Sequence, residues 1–472
     1  MRRIRMSKKL TWFLLLAFLV PILLTACGPA ATEVPPEPTV AEQAPPPETE
    51  EPVVPEPVEP SVDPSGQTVS FWHVWGTGTV GEGMMALIDE FNTTNEYGIT
   101  VEGVDQGRYS DLEDAMNAAI QSGDVPNILV GYTNALDTWY SVDVMADINT
   151  FIDDPYYGLT AEEVADFYPG TWANGINADG ARVGFPHGQS ANVVFYNVTW
   201  AKELGFDSAP ATAEEFRAQA CAATEANASD DDPDNDGTGG YVLYTGASDI
   251  AAWIFAFGGN VYDQAGTGYD FETPAVEEVA GFLKGLWDDG CAFATESYPN
   301  PEFATRKALF TLSSTAGLPY QASAFEAEGA YSEDEWTFIA FPGPAGGTVN
   351  GYAQNTGIVR STPEQEMASW LFIKWFTSPE TLAKWIEASG YHPVRGAVVP
   401  LLGDYIAANP RWATGIDLVP LGVAEPGWSS WGTVRRDVQD TFAAILQGDP
   451  ADIPALLADL NAAAAEAMEE TS

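Results

Sequence analysis

The stretch from Asp111 to Tyr132, DLEDAMNAAIQSGDVPNILVGY, decides the fold class. Its first half carries apolar residues at helical spacing and ends at Gly123-Asp124, a typical helix stop. After a turn at Pro126, the apolar run ILVG predicts a buried strand. Two further strands are predicted before this helix, in TVSFWHVW and ITVEGVD. Strands that alternate with helices in this way predict a parallel α/β arrangement.

The alternation continues through the rest of the chain. The segment VGFPHGQSANVVFYN, residues 183–197, predicts one long strand that crosses the body. Apolar periodicity predicts further helices at Ala213–Asn227, Pro274–Asp288 and Pro363–Ala388, and at Thr433–Met468 with a break at Gly448–Pro450. The body that begins at Gln67 has roughly 400 residues, too many for one ordinary core, so we expect two lobes.

The first 66 residues differ in character from the body. A basic segment precedes the apolar run Leu10–Leu24, and LTACG follows, which resembles a bacterial lipobox. We predict a lipoprotein signal peptide at 1–26 and a lipidated Cys27; the alternative is an uncleaved anchor. Residues 27–66 are rich in Pro and Glu, and residues 28–66 contain no Lys or Arg, which predicts a disordered, extended stalk.

Charge and cysteine content restrict the functions that are possible. The chain has 68 acidic and 19 basic residues, a formal net charge of −49, which argues against nucleic acid and anionic membrane surfaces as partners. An anionic ligand would need a local cationic group. Cys221 and Cys291 remain after Cys27, and in an exported body they predict one disulfide. The three histidines are far apart in sequence, which argues against a metal or catalytic site built on them.

An Asp-rich segment, SDDDPDNDGTGGY, carries a partial calcium-loop pattern. Asp232, Asp234 and Asp236 alternate before Gly237, as in the first half of an EF-hand loop. Leu243 stands where the loop needs its final carboxylate, so a complete EF-hand is excluded. Two interpretations stay open: a structural calcium completed by distant oxygens, or a solvated Asp-rich turn.

Four motifs in order give the body a family resemblance. They are FWH at Phe71–His73, YSDLEDAMNAAIQSGDVPNILVGY, GFPHGQSANVVFYN and ASWLFIKWFTSPETLAKWIEASGYHPVR. Together they resemble the extracellular solute-binding proteins of ABC importers, of the type that includes maltose-binding and glycerol-3-phosphate-binding proteins. The resemblance spans Val69 to Met468.

The resemblance implies an α/β, two-lobed periplasmic-binding-protein fold of the type II, maltose-binding-protein-like kind, with a hinge and an interlobe ligand cleft. The expected lobe segments are 67–186 and 309–357 for lobe 1, and 187–308 and 358–472 for lobe 2. Ligands of such folds bind between domains, and the lobes close around them.

The resemblance also implies a set of ligand-binding residues. They are Tyr109, Thr133, Ser190, Trp253, Ser314, Gly351, Tyr391 and Arg435. Six of them have an alternative. Tyr391 fits a packed helix stop, Tyr109 a core aromatic and Trp253 a helix-core tryptophan, while Ser190 fits a strand hydroxyl that bonds backbone. Ser314 could be replaced by its neighbour Thr315, and Arg435 could form a helix-surface ion pair rather than contact phosphate. His392 and Arg395 are predicted to be turn and surface residues.

One departure bears on the ligand. Thr133 stands in the region where glycerol-phosphate binders have a glutamate for substrate hydroxyls. With the acidic body, this favours a neutral sugar or oligosaccharide over glycerol-3-phosphate or a glycerophosphodiester, which remains the alternative.

The resulting hypothesis is a monomeric, exported, lipid-anchored binding protein that delivers a sugar to ABC permease subunits. We expect no enzymatic activity and no cofactor beyond the calcium considered above. A carbohydrate-active enzyme is the competing class, and it would need two carboxylates about 5–10 Å apart across a cleft. We find no sequence pattern that assigns such a pair.

Overall fold

A computed structural model describes residues 59–60, 62–76, 78–295 and 298–471. The predicted signal peptide, the predicted lipidation site Cys27 and residues 28–58 of the predicted stalk lie outside the described residues. Residues 58–472 form one compact unit. Among the described helices, none is both long and apolar enough to cross a membrane.

The described residues contain ten strands. They are β1 (Thr68–His73), β2 (Thr100–Asp105), β3 (Ile128–Gly131), β4 (Phe185–Asn197), β5 (Gly239–Val242), β6 (Ala292–Phe293), β7 (Ala308–Ser314), β8 (Trp336–Ile339), β9 (Val349–Ile358) and β10 (Gly422–Ala424).

Helices surround these strands. The α-helices are α1 (Thr79–Thr94), α2 (Tyr109–Ser122), α3 (Thr133–Ser141), α4 (Asn149–Ile152), α5 (Ala161–Ala165), α6 (Pro169–Asn174), α7 (Val198–Glu203), α8 (Ala213–Ser229), α9 (Ala247–Ala256), α10 (Pro274–Asp288), α11 (Asn300–Ala304), α12 (Leu318–Ala324), α13 (Pro363–Phe376), α14 (Pro379–Ser389), α15 (Gly403–Ala408), α16 (Pro410–Leu418), α17 (Trp431–Gln447) and α18 (Ile453–Thr471). Short 3₁₀ helices occupy Thr315–Gly317, Gly396–Leu402, Val419–Leu421 and Pro450–Asp452.

The strands form one mixed sheet in the order β2-β1-β3-β9-β4-β7-β5-β6, with β10 paired to β9 and β8 to β4. β1 pairs in parallel with β2 and β3, and β5 pairs in parallel with β6 and β7, which confirms the predicted α/β alternation. The long strands β4 and β9 run antiparallel to each other at the centre. The crossing strand predicted at residues 183–197 is confirmed as β4.

Two large hydrophobic cores lie on either side of the central strands. One core takes its buried residues from 69–185 and 358–412, and the other from 194–312, Phe341 and 428–467. β4 contributes Phe185 to the first core and Val194 to the second. The lobe boundaries predicted from the sequence stay predictions, and the core memberships favour placing residues 358–412 with the first lobe.

The predicted helix Pro363–Ala388 is two helices, α13 and α14. α14 has Pro379 at its first position, and Ser378 before it has an extended backbone, with φ −61° and ψ 147°. A residue before proline is disfavoured in the helical region, which explains why the chain breaks here. α14 then ends at Gly390, whose φ of 74° lies in the left-handed region that glycine adopts readily.

The turn after Gly390 is buried, which corrects the prediction that His392 and Arg395 are turn and surface residues. His392 is fully buried, stacks on Trp412, and its Nε2 lies 3.0 Å from the Trp412 carbonyl oxygen. Arg395 donates from Nε to Asp166 Oδ2 at 2.5 Å and from Nη1 to the Thr377 carbonyl oxygen at 3.1 Å. Folding brings each of these buried side chains a hydrogen-bond partner, Trp412 for His392 and Asp166 for Arg395, which residue type alone does not reveal.

Two buried histidines predict a loss of stability in acid. Burial lowers the pKa of His187 to about 3 and that of His392 to about 4. The ordinary pKa of a histidine is 6.5. As pH falls from this value towards the lowered pKa values, the unfolded chain binds protons that the native state does not, so the free energy of unfolding decreases. At about pH 5.5 we expect each histidine to reduce the free energy of unfolding by about 1.4 kcal/mol relative to neutral pH.

Urea unfolding at about pH 7.5 and about pH 5.5 checks this prediction in the wild type and in His392→Gln and His187→Gln. Each variant should show a smaller difference between the two pH values than the wild type does. Equal pH differences in wild type and variants would contradict it.

The predicted disulfide is confirmed between Cys221 and Cys291. Cys221 lies in α8, and Cys291 immediately precedes β6, so the bond joins a helix of the second core to the start of an edge strand. It closes a segment with a sequence separation of 70.

Candidate ligand-binding cleft

A cavity of about 590 Å³ lies at the two central strands, between the elements of the two cores. Its lining residues are Tyr132, Thr133, Asn134, Asn174, Ser190, Ser248, Ser314, Ala316, Gly351, Tyr352, Ala353, Gln354, Tyr391, Glu425, Pro426, Trp431, Gly432 and Arg435. β4 and β9 contribute Ser190 and the run from Gly351 to Gln354. Ser314 is the last residue of β7, and the other lining residues come from helices and loops on both sides.

The structure brings six of the eight sequence-predicted residues together at this cavity. They are Thr133, Ser190, Ser314, Gly351, Tyr391 and Arg435. At the Ser314 position the neighbouring Thr315 is buried, and its hydroxyl accepts a hydrogen bond from the Ala191 amide at 3.3 Å. That arrangement favours Ser314 over Thr315 as the cleft residue. Contact of all six residues with a ligand stays a prediction.

A group of tyrosines forms one wall of the cleft. Tyr391 is half-buried, and Tyr132 is 43 % exposed. Tyr109 does not line the cavity; it packs against Tyr132 with ring centroids 4.5 Å apart, and its hydroxyl accepts from Gln354 Nε2 at 3.4 Å. Burial raises the pKa of all three tyrosines, so their hydroxyls stay protonated near neutral pH. The wall therefore offers aromatic faces and neutral hydroxyls.

Sequence reasoning missed Tyr132, although a signal was present. Tyr132 directly follows β3, and the carboxyl ends of parallel strands are where such folds bind ligands. The same rule, applied to each predicted strand end, would have selected it together with Thr133.

Thr133 is held by a polar network within the protein. Its hydroxyl donates to the Asn174 carbonyl oxygen and accepts from Asn355 Nδ2 at 3.2 Å. Asn355 Nδ2 also donates to Asn174 Oδ1 at 3.0 Å. These bonds connect the start of α3, the end of α6 and β9, so Thr133 contributes to the shape of the cleft as well as to its lining.

Arg435 forms an ion pair, the alternative considered from the sequence, and the structure identifies its partner as Glu425. The Arg435 Nη1 donates to Glu425 Oε2, and the Glu425 side chain is only 9 % exposed. Glu425 Oε2 also accepts from Trp431 Nε1 at 2.6 Å, and Oε1 accepts from Asn350 Nδ2 at 2.6 Å. The cation predicted to contact phosphate therefore already has an anionic partner.

A second carboxylate lies close to this pair. Asp249 in α9 accepts a hydrogen bond from Asn192 Nδ2 on β4. Burial raises the pKa of Asp249 to about 6; the Asn192 bond lowers it, Glu425 raises it and Arg435 lowers it. Asp249 thus adds negative charge beside the cleft at neutral pH.

Comparison with known proteins identifies the family to which this chain belongs. A family model for the bacterial extracellular solute-binding protein matches residues 86–414, which is more than half of the chain. The chain belongs to this family. No curated protein matches this solute-binding protein.

Solved structures agree with the fold of this solute-binding protein. The cyclic α-maltosyl-1,6-maltose binding protein from Arthrobacter globiformis matches with a TM-score of 0.72 at 19% identity, over 85% of this chain and 99% of that one. The sugar-binding protein MalE from Xanthomonas citri matches with a TM-score of 0.72 at 18% identity, over 86% and 98%. UgpB from Mycobacterium tuberculosis, in complex with glycerophosphocholine, matches with 0.66 at 19% identity, over 86% and 99%. The predicted maltose-binding-protein-like fold is confirmed.

Trp253 lies in the second core of this solute-binding protein, which corrects the prediction that it forms a ligand platform. It is 1 % exposed and packs edge-on against Phe341, with ring centroids 5.2 Å apart. Its Nε1 donates to the Tyr241 hydroxyl at 3.2 Å. A tryptophan at the centre of an apolar helix is buried by hydrophobic packing. Trp431, which borders the cavity, belongs to the same core and is 3 % exposed.

The predicted calcium residues are not brought together as a ligand set. Among the described residues, no group of three or more His, Cys, Asp or Glu side chains is placed to hold a metal ion. Asp232 Oδ1 accepts from the Asp234 amide at 3.0 Å, and Asp230 Oδ1 accepts from the Asp232 amide at 2.7 Å. These local bonds fit a solvated Asp-rich turn, and a calcium completed by distant oxygens stays a prediction.

Proposed function

We propose that this protein is the solute-binding component of an ABC importer that captures a neutral sugar or oligosaccharide and delivers it to permease subunits. The observation that carries the proposal is the chemistry of the cleft lining. It combines aromatic faces with hydroxyl and amide groups, and among the described lining residues only Glu425 and Arg435 are charged, as an ion pair.

This lining fits a sugar for two physical reasons. The rings of Tyr132, Tyr352 and Tyr391 offer apolar faces for the C–H surfaces of pyranose rings. Side chains such as those of Asn134, Ser248 and Gln354 can donate to and accept from sugar hydroxyls. A cavity of about 590 Å³ is within the size range of small-molecule sites.

The similar structures support the same ligand class. Two of them are a maltosyl-maltose binding protein and a sugar-binding protein, whereas a third holds glycerophosphocholine. A phosphate ester is therefore the second candidate, and the pairing of Arg435 with Glu425 argues against it.

We further propose that Cys27 is lipidated and that the lipid holds the exported protein at the outer face of the membrane. We also propose that the protein acts as a monomer. The lipobox-like sequence LTACG supports the lipidation. Intact mass measurement of membrane-extracted protein tests the lipid.

Tyr391→Ala provides the test of the sugar-binding proposal. A neutral malto-oligosaccharide at about 100 times its dissociation constant should stabilise the purified wild type by about 2.7 kcal/mol in a thermal-shift assay. Loss of the Tyr391 ring should weaken binding about 10- to 100-fold, because stacking area and a hydroxyl are both removed. Titration calorimetry measures the change.

Tyr391→Phe and Tyr298→Ala are the matched controls. The first keeps the ring, so it should lose less affinity than alanine does. The second removes a tyrosine that is 85 % exposed and does not line the cleft, so affinity should be unchanged. A wild type that responds to no neutral sugar, or a Tyr391→Ala variant with unchanged affinity, would contradict the proposal.

A further inference from the structure

Glu425 is held on both of its carboxylate oxygens at the edge of the cleft. Asn350 of β9 donates to Oε1, while Trp431 and Arg435 of α17 donate to Oε2. The side chain is 9 % exposed, so the carboxylate has exchanged water for these three donors. These hydrogen bonds fix the position of the partly buried carboxylate, and its negative charge acts on any ligand that binds next to it.

Arg435 is the lining cation that could attract an anionic solute. Its side chain is 40 % exposed and lines the cavity, and its guanidinium carbon lies 6.0 Å from the Trp431 ring centroid. One of its nitrogens is occupied by Glu425, and the positive charge is compensated by the same carboxylate. An arginine in this state offers hydrogen bonds to a neutral ligand without offering net charge.

The local balance of charge is unfavourable to a phosphate ester. Glu425 and Asp249 place two carboxylates near one guanidinium, within a chain whose formal net charge is −49. A phosphate monoester carries a charge of about −1.5 to −2 at neutral pH. To pair with Arg435 it would have to approach Glu425 closely or displace it, leaving a buried carboxylate without its cation.

We propose that Glu425 is a specificity-determining residue that occupies Arg435 and makes the cleft select uncharged polyhydroxyl solutes over phosphate esters. The inference rests on the proposed function and names the element that sets its ligand class. A single carboxylate thereby separates a sugar-binding cleft from a phosphate-binding cleft that has the same arginine.

Removal of the charge at position 425 tests the proposal. Glu425→Gln, Glu425→Ala and the double variant Glu425→Gln/Arg435→Gln are compared with the wild type by titration calorimetry with glycerol-3-phosphate and with maltotriose. We expect Glu425→Gln to raise affinity for glycerol-3-phosphate about tenfold or more, because the guanidinium is released for a bidentate contact. The double variant should lose that gain.

Each outcome bears on the proposal. A folded Glu425→Gln or Glu425→Ala variant whose affinity for glycerol-3-phosphate equals that of the wild type overturns it, as does a gain that persists in the double variant. If both single variants fail to give the wild-type circular dichroism spectrum, Glu425 is a structural residue and the proposal is wrong.

The two proposals fail in different measurements. Absence of neutral-sugar binding by the wild type contradicts the proposed function. The ratio of glycerol-3-phosphate affinities between variant and wild type decides the role of Glu425 whether or not a neutral sugar binds.

Discussion

Replacing Arg306 by alanine is expected to lower the free energy of unfolding by about 3–5 kcal/mol, because it leaves a buried carboxylate without its cation. Arg306 donates from Nε and Nη2 to the two oxygens of Asp334 at 2.7 and 2.6 Å. The Asp334 side chain is only 4 % exposed. After the substitution, Asn197 Nδ2, at 2.7 Å, is its remaining side-chain donor among the described contacts.

Arg306 also joins Glu203 to this network. Its Nη1 donates to Glu203 Oε2 at 2.5 Å, and its Nη2 donates to Oε1 at 3.1 Å. Glu203 is 55 % exposed, so water can replace this part of the network, and most of the expected loss comes from Asp334.

Urea unfolding followed by circular dichroism measures the change, and two further variants sharpen it. Arg306→Ala/Asp334→Asn should recover part of the loss, since the uncompensated charge is then absent. Lys202→Ala is the matched control, because its pair with Glu335 spans 3.9 Å between exposed groups and should change stability by less than about 1 kcal/mol. Equal losses in Arg306→Ala and Lys202→Ala would contradict the prediction.

Removing the disulfide is expected to lower the free energy of unfolding by about 4 kcal/mol. The sequence separation of 70 between Cys221 and Cys291 sets the size of the loop that the bond closes in the unfolded chain. Without the bond, the unfolded chain regains that conformational entropy, and the native state is disfavoured accordingly. The change to test is Cys221→Ala/Cys291→Ala, with urea unfolding as the measurement.

The wild type treated with a reductant is the matched control for the double variant. Reduction should produce a loss of similar size, whereas the oxidised wild type retains full stability. Neither cysteine lines the cleft, so the ligand affinity of the folded variant should remain that of the wild type. An oxidised wild type no more stable than the reduced one would overturn this prediction.

Much of the architecture could be read from local patterns. The helix in DLEDAMNAAIQSGDVPNILVGY and the strands around it follow from apolar periodicity, Gly123 and Pro126, which act within a few residues. The long strand β4 was predictable because its apolar run is bounded by recognisable turns. The disulfide between Cys221 and Cys291 was predictable because the body is predicted to be exported and contains two cysteines.

Six cleft residues were also identified from the sequence, because a family resemblance carries positional information that composition lacks. Trp253 shows where this fails. A tryptophan suits a core and a sugar platform equally, and only the packing around α9 assigned it to the core.

The sequence by itself determined the α/β alternation at the start of the body, the crossing strand β4, the acidic charge of the chain and the pairing of its two body cysteines. Only the tertiary structure showed that Glu425 neutralises Arg435, that Tyr132 joins Tyr391 at the cleft, and that His392 and Arg395 are buried. Periodicity and stop signals act between neighbours along the chain. Whether a charged side chain is neutralised, or an aromatic ring is exposed in the cleft, instead depends on burial and on partners that folding brings from distant strands and helices.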